Sequence, residues 1–103
     1  GLSNAIFMPY VLNFNKDAIE DRIISLSKYL DLNKKSFDGF MEWILDLRSN
    51  LTIPHTLKEL NVDFDFDLLS EMALKDPSTQ PNPKDISFDQ MKNLYINSYE
   101  GIL

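Results

Sequence analysis

The stretch Gly1-Leu-Ser-Asn-Ala-Ile-Phe-Met-Pro-Tyr-Val-Leu-Asn-Phe-Asn15 decides the fold. Ile6, Phe7, Met8, Tyr10, Val11, Leu12 and Phe14 place apolar side chains on nearly every face of a helix over 2–14, the pattern of a helix buried all round. Pro9 falls inside it, where it removes one backbone donor and crowds the preceding turn. The run is broken by Asn4, Pro9 and Asn13 and is shorter than the ~20 apolar residues a bilayer crossing needs, so no membrane span is expected.

Helical periodicity continues downstream, and strand signals are scarce. Ile19, Ile23, Leu26 and Leu30 make one apolar stripe. Asn33-Lys34-Lys35 is a turn, and Ser36 offers an N-cap oxygen to a helix with Phe37, Phe40, Met41, Ile44 and Leu47 on its core side. Pro54 imposes an extended entry to a short turn capped by Thr56 and buried through Leu57 and Leu60. Asp63, Asp65 and Asp67 crowd the start of a further helix, favourably for its dipole, and Leu68, Leu69, Met72 and Ala73 bury it. The segment 76–85 holds three of the five prolines and reads as a loop. Ser87 and Gln90 form a capping box for a last helix carrying Phe88, Met91, Leu94 and Tyr95. The expected architecture is one all-α domain over 1–103, a compact bundle of five or six helices.

Composition removes several function classes. Without cysteine there are no disulfides, thiolate metal sites or Cys nucleophiles. A net charge of −6, with Lys34-Lys35 as the one basic pair, argues against nucleic acid as a partner. His55, the sole histidine, would need carboxylates alone to complete a metal site, and is read as structural or solvent-facing. Asp63-x-Asp65-x-Asp67 opens like a calcium loop but has Leu68 where Gly is required and Leu74 where Glu is required. The Asn50-Leu51-Thr52 sequon matters only in a secreted protein. Ser25, Ser27 and Ser70 have no base to activate them. No catalytic residue and no metal ligand is assigned within the chain.

Gly1-Leu2-x-Asn4-Ala5-Ile6-x-x-Pro9-Tyr10-Val11 resembles the H-G-x-x-N-A-x-x-L-P segment of the iron-containing alcohol dehydrogenases. Asn13-Phe14-Asn15, then Ile53-Pro54 with Leu57 and Glu59-Leu60, then Ala73-Leu74-x-Asp76 with Asn82-Pro83-Lys84 follow in that family's order and spacing. The resemblance implies the C-terminal helical domain of that family, of dehydroquinate synthase-like type. It implies that the residue before Gly1 is a metal-ligating histidine, and that the remaining ligands and the nucleotide-binding domain lie outside the chain. It implies a parent that transfers hydride between a small alcohol or aldehyde and NAD(P), with Fe²⁺ or Zn²⁺ as Lewis acid, in the cytoplasm. The chain alone would hold no cofactor and be inactive.

Within the chain, the resemblance places Gly1 and Leu2 beside the metal. It makes Asn4 either a brace of the metal-site backbone or a plain helix-start polar residue. Ser78 becomes either a pocket side chain or an ordinary turn serine. Asn50-Leu51-Thr52 replaces the Gly usual before Ile53-Pro54, Asn61 replaces the Gly after Glu59-Leu60, Lys84 replaces an arginine, and Pro81 stands where Gly is common. The expected partner is the missing N-terminal nucleotide-binding domain. An apolar helix 2–14 without its neighbours would promote self-association. A different class of function, a stand-alone helical interaction module docking through that helix, fits the same residues.

Overall fold

The computed structural model describes residues 2–103, with the backbone alone at Ser78. Its elements are α1 (Leu2–Phe14), α2 (Lys16–Tyr29), α3 (Phe37–Asn50), a 3-10 turn (Leu57–Leu60), α4 (Phe66–Lys75), a second 3-10 turn (Pro77–Thr79) and α5 (Phe88–Glu100). The all-α expectation holds. Among the described residues no helix is long and apolar enough to cross a membrane.

The helix starts lie where the polar residues put them. The Ser36 hydroxyl accepts from the Gly39 amide at 2.9 Å, and the Asp65 carboxylate from the Leu68 amide at 3.1 Å. Ser87 and Gln90 exchange both bonds of a capping box. Each such cap contributes about 1 kcal/mol by satisfying amides that the helix cannot. The loop after α4 is ordered rather than loose. Thr79 Oγ1 donates to the Ala73 carbonyl at 2.6 Å, and Asn82 Nδ2 to the Lys84 carbonyl at 2.6 Å.

Helix α1 lies between two apolar clusters. On one side Ile19, Ile23, Phe37, Phe40 and Met41 of α2 and α3 pack together, with Leu12 of α1 against them. On the other, Tyr10 joins Met91 and Leu94 of α5, and Phe7, Phe14, Ala73, Leu74, Ile86 and Tyr95 pack around that group. Phe7 and Tyr95 stack with centroids 4.5 Å apart. Helix α4 packs chiefly against α5.

Several expected core positions are corrected. Helix α1 is not buried all round: Ile6, Pro9 and Tyr10 are buried, whereas Leu2, Ser3, Asn4 and Asn13 are exposed. Leu26, Leu30, Leu47, Leu68 and Met72 are also exposed. Their places in the core are taken by Ser27, Arg48 and Ser70. The buried serines satisfy themselves along their own helices: Ser27 Oγ donates to the Ile24 carbonyl and Ser70 Oγ to the Phe66 carbonyl, both at 2.6 Å.

Two helices end in Schellman motifs with unusual residues at the left-handed position. After α2, Asp31 has φ 53° while the Leu32 amide reaches the Ser27 carbonyl. After α3, Thr52 has φ 58° while the Ile53 amide reaches the Arg48 carbonyl. A left-handed conformation costs an L-residue roughly 1–2 kcal/mol, and β-branching makes Thr a poor occupant. Thr52→Gly is therefore expected to raise the thermal midpoint, the relief being only partly offset by the ~0.5–1 kcal/mol entropy cost of glycine. A lower midpoint would show that contacts of the threonine side chain outweigh its backbone strain.

Candidate functional site

The N-terminal half of α1 carries Leu2 and Asn4, two of the residues singled out from sequence, and it has two differently furnished sides. One side opens on a cleft of about 600 Å³ between α1, α4, α5 and the loop after α4. Phe7, Val11, Leu69, Met72, Met91 and Leu94 supply its apolar wall, and Asn4, Asp76, Thr79 and Asn82 its polar edge. Burial raises the Tyr95 phenol above its usual value, and the nearby Asp76 charge adds to that. The phenol is therefore a neutral hydrogen-bonding group in the cleft wall.

Of the expected site residues, Asn4 is the one that lines this cleft among those described. Asn4 lines it with an exposed side chain, and Leu2 is also exposed at the same helix end. Gly1 lies outside the described residues. The Ser78 backbone belongs to the Pro77–Thr79 turn, between the cleft-lining Asp76 and Thr79, and its side chain lies outside the described residues.

The motif residues at the far end of α1 meet those of the loop after α4. Asn15, 3% exposed, and Asn82 exchange paired amide bonds of 2.7 and 2.9 Å. Lys84 Nζ donates to the Phe14 carbonyl at 3.1 Å, lies 4.6 Å from the centre of the Phe14 ring and pairs with exposed Asp17 at 3.5 Å. A lysine thus fills the arginine position with a backbone bond and a ring contact, neither of which needs a bidentate fork. These bonds fix the loop that forms one wall of the cleft.

The second side of α1 is polar and was not foreseen. Arg48 is 5% exposed and points from α3 at the α1 backbone, its Nη1 2.9 Å from the Ile6 carbonyl and 3.3 Å from that of Ala5. Its Nη2 donates to His55 Nδ1 at 2.8 Å. The Tyr10 hydroxyl donates to the His55 carbonyl at 2.9 Å. Burial lowers the Arg48 pKa and raises that of Tyr10, and the attraction between the two groups opposes both shifts. A signal for this cluster does exist in the sequence: Pro9 deprives the Ala5 carbonyl of its helical donor, so a donor from elsewhere is required.

Below His55 the Leu57–Leu60 turn begins with a capping box, Glu59 Oε2 accepting from the Thr56 amide at 2.9 Å and from its hydroxyl at 3.1 Å. Asn61 closes the turn at φ 54°, a conformation that asparagine tolerates in place of glycine.

Among the described residues no three His, Cys, Asp or Glu side chains gather where they could share an ion. His55 is engaged by Arg48, with which no ion could share Nδ1.

The bonds from the Thr56 amide and hydroxyl hold the Glu59 carboxyl below its ordinary value near 4.5. A depressed carboxylate contributes stability above its unfolded-state pKa and loses it as pH falls through the lower folded value. The thermal midpoint of the native chain should thus exceed that of Glu59→Gln at pH 7, with the gap closing below about pH 4.5. A gap that is constant from pH 7 to pH 3 would contradict the assignment.

The model of the Fe-containing alcohol dehydrogenase family, C-terminal part, matches residues 1–99. An NADPH-dependent butanol dehydrogenase of Clostridium saccharobutylicum is 33% identical over 98% of this chain, which covers 28% of that protein. An alcohol dehydrogenase of Thermococcus barophilus is 32% identical over 96% of the chain, covering 27% of it. A lactaldehyde reductase of Escherichia coli (strain K12) is 24% identical over 96% of the chain. The chain spans little more than a quarter of the length of these relatives. Its helices, its motifs and the match along almost its whole length agree: the chain belongs to the iron-containing alcohol dehydrogenase family, as the C-terminal domain.

Proposed function

We propose that this chain is the helical C-terminal part of an enzyme that transfers hydride between a small alcohol or aldehyde and NAD(P), and that it shapes the reaction chamber without supplying ligands or nucleotide contacts. The observation that carries the reading is the family match over residues 1–99. The names of the relatives support the chemistry, since butanol and lactaldehyde are both small and neutral and one of these enzymes is named as NADPH-dependent. In such a reaction Fe²⁺ or Zn²⁺ polarises the substrate oxygen as a Lewis acid. Its ligands are assigned to the rest of the parent, beginning with a histidine directly before Gly1, and the nucleotide-binding domain to the same missing part. The cytoplasm, where such enzymes meet NAD(P), belongs to the same reading.

The work of this chain is placement and exclusion of water. Leu2, in the first turn of α1, is assigned to face the reaction, as is Gly1, which precedes it in the sequence. Asn4, which lines the cleft, offers an amide that braces the backbone beside the metal site. Ser78, in the turn between two cleft-lining residues, is assigned to the pocket edge. The apolar wall of Phe7, Val11, Leu69 and Met72 receives the remaining helices of the parent and keeps the chamber dry. With that wall open, copies of the isolated chain associate through it.

Reading the gene upstream of Gly1 and assaying both polypeptides tests the proposal. The expected result is an in-frame histidine codon immediately before Gly1, a full-length product that reduces butanal with NADPH or NADH once loaded with Fe²⁺ or Zn²⁺, and no turnover by the 103-residue chain alone. Alcohol oxidation by this chain by itself, or a stop codon in place of the histidine, would overturn it.

A further inference from the structure

Arg48 is a buried cation with no carboxylate on it. Among the described residues its hydrogen-bond partners are two backbone carbonyls of α1 and an imidazole, while the one acid that attracts it, Glu59, acts from a distance. Such a group is expensive to bury unless its donors are used. Only Nε lacks a partner.

The position of those carbonyls gives the reason. In an uninterrupted helix the Ala5 carbonyl accepts from the amide of residue 9, and residue 9 is proline, inside the helix. The Arg48 fork sits over that gap, with one nitrogen shared between Ala5 and Ile6 and the other on His55. Arginine only donates, so Nδ1 of His55 accepts and the proton of the neutral ring sits on Nε2, 3.4 Å from the Tyr10 hydroxyl. Tyr10 belongs to α1 and returns a bond to the His55 carbonyl. The loop is closed: α1 to α3 through Arg48, α3 to the 53–60 segment through His55, and that segment back to α1 through Tyr10.

We propose that Arg48 is a positioning residue that supplies the donor Pro9 deletes and fixes the N-terminal half of α1 in one register against α3 and the 53–60 segment. Its consequence for catalysis rests on the function proposed above, because α1 is the helix whose first turn would adjoin the reaction. The structural part stands without it. Lysine cannot replace this residue, since a single ammonium cannot span both carbonyls and the imidazole.

A double-mutant cycle on the chain separates this role from mere space-filling. Arg48→Met should lower the thermal midpoint. Pro9→Ala restores an amide to the Ala5 carbonyl, so in that background the loss caused by Arg48→Met should shrink to half or less. Additive effects of the two substitutions would overturn the proposal. Because His55 is the sole histidine, its ring ¹⁵N signals are unambiguous. They should show an Nε2–H tautomer with Nδ1 accepting a bond, and lose the acceptor shift in Arg48→Met, or in Arg48→Lys if the Met variant does not fold. An unchanged Nδ1 shift in the variant would also overturn it. In the full-length enzyme Arg48→Met should lower kcat by about 10- to 100-fold, the scale of an ångström-sized misplacement, with the KM for NADPH little changed. Pro9→Ala should recover part of that loss. An active wild-type enzyme with an unaffected Arg48→Met variant would sink the catalytic part. An inactive wild-type enzyme would sink the function reading and leave the cycle on the chain to decide the rest.

Discussion

A proline in the middle of a core helix is the constraint around which this molecule is arranged. Pro9 is fully buried, and α1 stays helical through it. That is possible only if the carbonyl left without an amide finds another donor, because an unpaired buried backbone group costs as much as the bond it lacks. Arg48 reaches across from α3 to provide one. The polar cluster on that side of α1 follows from this need, since a guanidinium brought into the interior must have its other donors met as well.

The rest of α1 is equally committed. It separates two apolar clusters that do not otherwise merge, so neither the α2–α3 pair nor the α4–α5 pair has a complete core without it. Its far end is tied down by the Asn15–Asn82 amide pair and by Lys84 on the Phe14 carbonyl. Residues some 67 to 70 positions apart in sequence are thereby held to one helix terminus. An enzyme that needs one end of a helix at a fixed place beside its reaction is served by a helix braced at several points along its length.

Much of this was legible in the chain itself. Caps are local, short-range chemistry: Ser36 and Ser87 accept from the amides three residues on, as their spacing says they should, whereas the Thr56 hydroxyl donates to the Glu59 carboxylate. The tolerance of Asn61 for a left-handed backbone is likewise a property of the residue. Burial was read less well, because it depends on how close the neighbouring helix comes. Ser27 and Ser70 are buried, whereas Leu26, Leu68 and Met72 are exposed. Nothing local to Arg48 marks it in the sequence, and only the Ala5 carbonyl that Pro9 leaves without its helical amide points to the need for a donor. Of the candidate site, Asn4 can be named from its motif alone, but the cleft it lines is made with α4, α5 and a loop whose approach no local pattern encodes.

The central claim is that α1 is the element on which both halves of the core depend. Amide hydrogen exchange tests it directly, since it measures the opening of each segment separately. The amides of α1 around Ile6 and Tyr10 should exchange only through global unfolding, with protection equal to the highest anywhere in the chain. If they exchange quickly while α2 and α3, or α4 and α5, stay protected, then α1 is a peripheral helix and the account is wrong.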